Sequence, residues 1–160
     1  MQKYSSKDTS INVVNKIYKV MNFDGVKTIL DYGGGKYDSN KEYMLQQGCE
    51  VYVYDKYNRD AKHNQEVIDK MRRDVPDCIV CSNVLNVIFE DEVITDILND
   101  IKSFGSKRII FAIYEGDKSG IGKETSKGWQ RNTKAKDYLP IIEGYFNVVK
   151  CSNGIIECTA

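Results

Sequence analysis

Thr28 to Asp38 reads TILDYGGGKYD, and this stretch decides the fold. An apolar pair, Ile29 and Leu30, leads into Asp31 and then into Gly33, Gly34 and Gly35. Residues compatible with a helix follow. The pattern is that of a buried strand opening through a glycine turn onto a helix N-terminus. Such a turn needs glycine where the backbone takes positive φ or lets a ligand approach closely. The carboxylate at the strand end offers acceptors to an ammonium or hydroxyl group. A crevice at the carboxyl ends of parallel strands is where open α/β sheets bind nucleotides.

A second acid strengthens this reading. Gly48 to Asn58, GCEVYVYDKYN, carries the β-branched and aromatic alternation of a strand through Val51, Tyr52, Val53 and Tyr54, and ends in Asp55. Asp55 lies 20 residues beyond Gly35. An acid at that spacing, at the tip of the second strand of a βαβ unit, is placed to bind the hydroxyls of a ribose.

Asp31-x-Gly33-x-Gly35 with Asp55 resembles the motif pair of class I S-adenosylmethionine-dependent methyltransferases. Tyr37 stands where the family's first motif usually has a third glycine. Asp77 to Ile88, DCIVCSNVLNVI, resembles the family's fourth motif, and the likeness extends over roughly residues 26 to 158. YDKYNRDAKHN and KGWQRN look like segments of small methyltransferase-like proteins of phages and bacteria. The resemblance implies an α/β, Rossmann-like methyltransferase sandwich with a mainly parallel sheet and a C-terminal antiparallel β-hairpin. It implies S-adenosyl-L-methionine as cofactor, bound by Asp31, Gly33, Gly34, Gly35, Asp55, Lys56, Tyr57, Ser82, Asn83 and Val84. Tyr57 is a candidate to stack on adenine. Arg59 and Asn64 enter on resemblance alone.

The rest of the chain is consistent with a single domain over residues 1–160. Its 41% hydrophobic and 29% charged content is that of a globular protein. No 18-residue apolar run and no signal-peptide core occur, so a cytoplasmic protein without a membrane span is expected. Zero formal net charge gives no strong nucleic-acid signal. Of the five cysteines, Cys78 and Cys81 form a CxxC inside an apparent strand. Positions three apart on a strand face opposite sides, so both read as buried thiols rather than a metal or redox pair.

Helical spacing of Ile11, Val14, Ile17 and Met21 predicts a helix over 10–22 with Ser10 as N-cap, packed against the sheet or lidding the ligand crevice, within an N-terminal helical segment of residues 1–25. Strands are expected at 27–32, 50–54, 78–82 and 107–114, and helices at 39–47, 60–73, 90–103 and 134–143. Asn153-Gly154 between two strand-like runs predicts the closing hairpin. Only 22 residues separate Asp55 from Cys78, too few for the third strand and extra helix of the usual methyltransferase plan. That strand is therefore expected to be absent, leaving the second strand at the sheet edge. The loop that commonly meets the adenine amino group goes with it.

Residues 115–133 have no apolar periodicity and four glycines, and read as a long basic loop or lid. Lys118, Lys123, Lys127, Arg131, Lys134 and Lys136 face only three acids between Asp117 and Asp137. The functional reading is a mobile cover for an anionic substrate, with Trp129, Gln130 and Arg131 at the site; the plain one is a solvated loop with an anchoring tryptophan. Tyr114 and Glu115 are the candidate bases, and His63 reads as a solvated or capping residue.

Ser82-Asn83-Val84-Leu85 lacks the prolines that shape a flipped-base slot, and no Pro-Cys pair occurs, which disfavours DNA-base methylation. A small-molecule or peptide-borne acceptor is expected. Two other readings stay open: an NAD(P)-binding oxidoreductase and a non-catalytic cofactor-binding or interaction module.

Overall fold

The computed structural model describes residues 5–160. In chain order its elements are α1 (Ile17–Val20), β1 (Thr28–Tyr32), α2 (Ser39–Leu45), β2 (Glu50–Tyr54), α3 (Ala61–Arg73), β3 (Cys78–Ser82), α4 (Asp91–Ser103), β4 (Arg108–Ala112), β5 (Lys123–Thr125), β6 (Gly128–Gln130), α5 (Leu139–Ile142), β7 (Asn147–Ser152) and β8 (Ile155–Thr159). Six strands form one sheet in the order β2-β1-β3-β4-β8-β7. The first four run parallel, β8 runs antiparallel to β4, and β7 runs antiparallel to β8. Asp31 at the end of β1 stands in register with Val53 of β2 and Val80 of β3.

The expected loss of a strand is seen directly: among the described residues nothing pairs with β2 on its outer side. The loss has a topological consequence. The chain steps outward from β1 to β2 and then back across β1 to β3. Both crossovers must be right-handed, so their helices lie on opposite faces of the sheet. Accordingly Met44 of α2 packs with Ile17 and Tyr18 of α1 on one face, against Ile29, Val51, Val53 and Ile110. On the other face Val67 and Met71 of α3 join Leu98 and Ile101 of α4 and Ile142 of α5. The direction of the connections reverses between β1 and β3, and the crevice opens there.

His63 helps to cover the bare edge. Its Nε2 lies 2.7 Å from the carbonyl of Val53, and its own N–H is received by the Asp60 carboxylate. The side chain is thus a partner for an edge carbonyl, not a solvated one. Cys78 and Cys81 are free thiols buried on opposite faces of the sheet. Burial pushes Cys78 up to about 12 and Cys81 higher still, which makes both poor nucleophiles.

Three expectations need correction. The helix over 10–22 shrinks to Ile17–Val20, where the Asn15 side-chain oxygen accepts the N–H of Ile17 and starts it. Upstream, the Ser10 hydroxyl accepts the N–H of Lys36 instead of capping a helix, and Ile11 and Val13 stay exposed. Residues 5–15 therefore form an irregular strap across the glycine turn; residues 1–4 of the expected N-terminal segment lie outside the described residues. The basic loop holds a two-stranded ribbon, β5 with β6. Strands of three residues are too short to show alternation. The helix over 134–143 is split into a 3-10 turn at Ala135–Tyr138 and α5, with Pro140 in the first turn of α5 where no amide hydrogen is required.

Candidate functional site

The turn after β1 folds back onto the end of β2. Gly33 and Gly34 both donate to the Tyr54 carbonyl, at 2.7 and 3.3 Å, and Gly35 donates to Asp55 Oδ2 at 2.8 Å. Gly33 sits at φ +80°, and a Cβ there would stand 2.5 Å from Val84 Cγ2. A Cβ on Gly34 would stand 2.7 Å from Asp31 Cγ and 2.8 Å from Val53 Cγ1. The glycines are therefore needed so that three strand ends can converge.

Asp55 is held on all sides. Its Oδ1 accepts the N–H groups of Tyr57 and Asn58 and the Asn58 side-chain amide, each at 3.1 Å. The buried Asn64 side chain brackets the Asp55 peptide, accepting its N–H at 3.2 Å and donating to its carbonyl at 2.8 Å. Arg59 ties this loop to the glycine turn. Its Nε donates to Gly35 O at 2.8 Å, and its Nη2 donates to Tyr37 O at 2.9 Å and pairs with Asp38 at 2.8 Å. Arg59 and Asn64 thus act through Asp55 and the turn. Arg59→Ala is expected to cost about 2 kcal/mol in chemical denaturation, because two charge-assisted bonds to carbonyls disappear. Arg59→Lys should fall between, since one ammonium cannot span the same fork of acceptors.

Asp31 is only 2% exposed. Burial pushes its carboxyl up to about 6, against the opposing effect of a 3.3 Å hydrogen bond from the Asn40 side chain. Tyr18, buried beside it, also favours the charged form, although its hydroxyl falls short of good hydrogen-bond geometry. The Asn40 oxygen accepts the N–H of Asn15 at 2.7 Å, which fixes the amide that faces Asp31. At the end of β3, the Ser82 hydroxyl is buried without a partner among the described residues. Asn83 takes φ +57°, a left-handed conformation that asparagine tolerates, and swings Val84 over Gly33.

Together these strand ends enclose a cavity of about 830 Å³, within the range of small-molecule sites. Asp31, the three glycines, Asp55, Lys56, Tyr57 and the Ser82–Val84 turn all line it. Lys7 and Lys56 place their ammonium groups 5.4 and 5.5 Å from the Tyr57 ring centroid, so the ring already has cationic neighbours. Tyr114, Glu115, Trp129, Gln130 and Arg131 do not line the cavity. Tyr114 is exposed, and Glu115 receives the N–H of Ala135 at 2.7 Å. Trp129 stands edge-on to Phe89 with centroids 4.7 Å apart, and its N–H and carbonyl both bond the Ser6 hydroxyl. Gln130 donates to Tyr114 O, and Arg131 donates to Ile88 O and pairs with Asp91 at 2.8 Å. The Trp129 and Arg131 side chains fasten the ribbon to the segment before α4, Gln130 ties it to the end of the β4 segment, and the Trp129 backbone holds the strap. No cluster of His, Cys, Asp and Glu suited to a metal ion occurs among the described residues.

Sequence reasoning missed one wall of the cavity, the face of α4 carrying Val93, Asp96, Ile97 and Asp100, and took another for a helix: the N-terminal segment meets the crevice as a strap, through residues such as Ser6, Lys7 and Ser10. The i, i+3, i+4 spacing of the α4 residues was a usable signal for a shared face. Nothing in the strap's composition marks it.

No protein-family model matches the chain, and a search of curated proteins finds no relative. Solved structures do match. The mitomycin 7-O-methyltransferase MmcR is 16% identical with a TM-score of 0.58, over 90% of this chain and 52% of that one. PigF, solved with SAH, is 15% identical with a TM-score of 0.60, over 89% and 53%. The S-adenosylmethionine-dependent methyltransferase SibL is 12% identical with a TM-score of 0.58, over 89% and 53%. The chain spans about half the length of each. At these identities the likeness establishes the fold, which is the one S-adenosylmethionine-dependent methyltransferases use.

Proposed function

We propose that the cavity binds S-adenosyl-L-methionine and that the chain is a methyltransferase acting on a small-molecule or peptide-borne substrate. The observation that carries this reading is the pairing of Asp31 and Asp55 on adjacent strand ends across one glycine turn. The residues present suit the cofactor. Asp31 is a desolvated carboxylate that a ligand ammonium would complement, and Asp55 Oδ2, with a single protein donor, keeps a lone pair for a ribose hydroxyl. The unpartnered Ser82 hydroxyl is a further polar group at the cavity wall.

The same geometry counts against a dinucleotide. The N–H groups of Gly33, Gly34 and Gly35 are already bonded to Tyr54 and Asp55. The turn therefore offers no ring of free donors for a diphosphate, which is what such ligands need.

When bound, the cofactor supplies a methyl group already activated by its sulfonium. The chain's part is then to orient that group and the acceptor, which can account for much of a rate enhancement. Asp31 and Asp55 would hold the two ends, and the Ser82–Val84 turn lines the cavity on the other side of Asp31, at the end of β3. Tyr114 and Glu115 lie outside the cavity, so neither is retained here as the base. Among the described residues Lys7 and Lys56 are the cations that reach the cavity wall, and they would serve an anionic acceptor in place of the basic loop.

Calorimetric titration of S-adenosylmethionine, S-adenosylhomocysteine and NAD into the protein tests the reading. Micromolar binding of both adenosyl compounds and none of NAD is expected. Absence of adenosyl binding would sink it, and binding without methyl transfer to any lysate fraction would favour a non-catalytic module.

A further inference from the structure

The cavity continues past the glycine turn, away from Asp31 and Asn40, to the face of the sheet that carries α4. Its walls there are apolar: Tyr32 and Tyr54, with ring centroids 4.9 Å apart, and Val84, Ile88, Val93 and Ile97. Two carboxylates from α4 interrupt them, Asp96 and Asp100, one helical turn apart and on the same side. They are not equivalent. Asp100 accepts the Tyr32 hydroxyl at 2.5 Å and faces Arg72 at 3.7 Å. Asp96 has no hydrogen bond or ion pair among the described residues, so both of its oxygens are free.

Resting on the cofactor reading above, the geometry points to this pocket as the adenine subsite, with Asp96 as the acceptor for the exocyclic amine. A flat base would lie against these apolar walls, with its outer edge toward the one carboxylate that has no protein partner. A carboxylate accepts only, so it favours a base that presents a donor at that edge. The assignment explains how the base can be read with β2 at the sheet edge. The acceptor comes from α4, brought across the sheet end by the same crossover reversal that placed α3 and α4 on one face.

The test compares S-adenosylhomocysteine with its 6-deamino analogue, in which hydrogen replaces the amine, by calorimetry on the wild type, Asp96→Ala and Asp100→Asn. Asp96 lies on the exposed side of α4, so its replacement should leave the fold intact. The wild type should prefer the amine by about tenfold, the scale of one hydrogen bond to a charged, partly hydrated group. Asp96→Ala should bring the two ligands to within about twofold by weakening only the amine-bearing one. Persistence of the preference in Asp96→Ala, or its loss in Asp100→Asn alone, would overturn the assignment. A wild type that binds S-adenosylhomocysteine without preference removes this inference and leaves the cofactor reading standing; one that binds neither ligand removes both.

Discussion

Asp55→Ala is expected to lose about 3 to 4 kcal/mol of folding stability and all measurable affinity for adenosyl ligands. The first effect follows from the donors gathered on one carboxylate: the N–H groups of Gly35, Tyr57 and Asn58 and the Asn58 side-chain amide. The residue is 7% exposed, so the alanine variant leaves several donors with little access to water. Each such loss costs about 1 to 3 kcal/mol, and the open cavity should rehydrate some of them. Asp55→Asn keeps one acceptor oxygen but turns an amide NH2 group toward the remaining donors, and a loss of about 2 kcal/mol is expected. Urea unfolding measures the stability term, and titration of the folded fraction measures binding. An alanine variant as stable as the wild type would show that the carboxylate is not the anchor of this loop.

The dual role of Asp55 shows what was legible in the sequence. Its position was readable, because an acid 20 residues past the turn must fall at the tip of the neighbouring strand. The missing strand was readable for a similar reason: 22 residues between Asp55 and Cys78 hold α3 and little else. Chain length and alternation are local quantities. Partners distant in sequence are not. A strand-end acid without a local counter-charge looked free for a ligand, yet its Oδ2 already receives Gly35. The sole tryptophan of a basic loop read equally as a cover for the site or as an anchor, and its partners lie far off in sequence: its indole meets Phe89 and its backbone meets Ser6, 123 residues away. The strap was misread because Ile11, Val14 and Ile17 keep helical spacing. Only Ile17 of these is buried; the Ser10 hydroxyl bonds the end of the glycine turn, and Asn15 gives its N–H to α2 while its side chain starts only the short α1.

Asp31→Asn should move stability and binding in opposite directions. Burial holds the Asp31 carboxyl near 6, about two units above its unfolded value. A carboxyl raised in this way keeps its proton in the folded state over a range where the unfolded chain has released it. Its contribution to stability is therefore fully present below about pH 4 and is lost as pH rises through 6, by about 3 kcal/mol. Above pH 7 the free protein carries a buried charge with only Tyr18 and the Asn40 amide beside it to favour it, and Arg59 farther off. Asparagine removes that charge and keeps an oxygen for Asn40, so Asp31→Asn should be about 2 kcal/mol more stable than the wild type at pH 7.5. The gap should close as the pH approaches 4. The same charge is what a ligand ammonium would complement, so the variant should lose at least about tenfold in S-adenosylhomocysteine affinity. Wild-type affinity should rise between pH 5 and pH 7, as Asp31 ionises, and that of the variant should stay flat. Thermal unfolding and calorimetry across this range check both arms. Equal stability of the two proteins at pH 7.5 would mean that Asp31 is better solvated than its burial implies. A variant that binds like the wild type would move the ammonium away from Asp31. The destabilised carboxylate would then have no ligand to justify it, and the glycine turn would lose its reason for placing an acid beneath it.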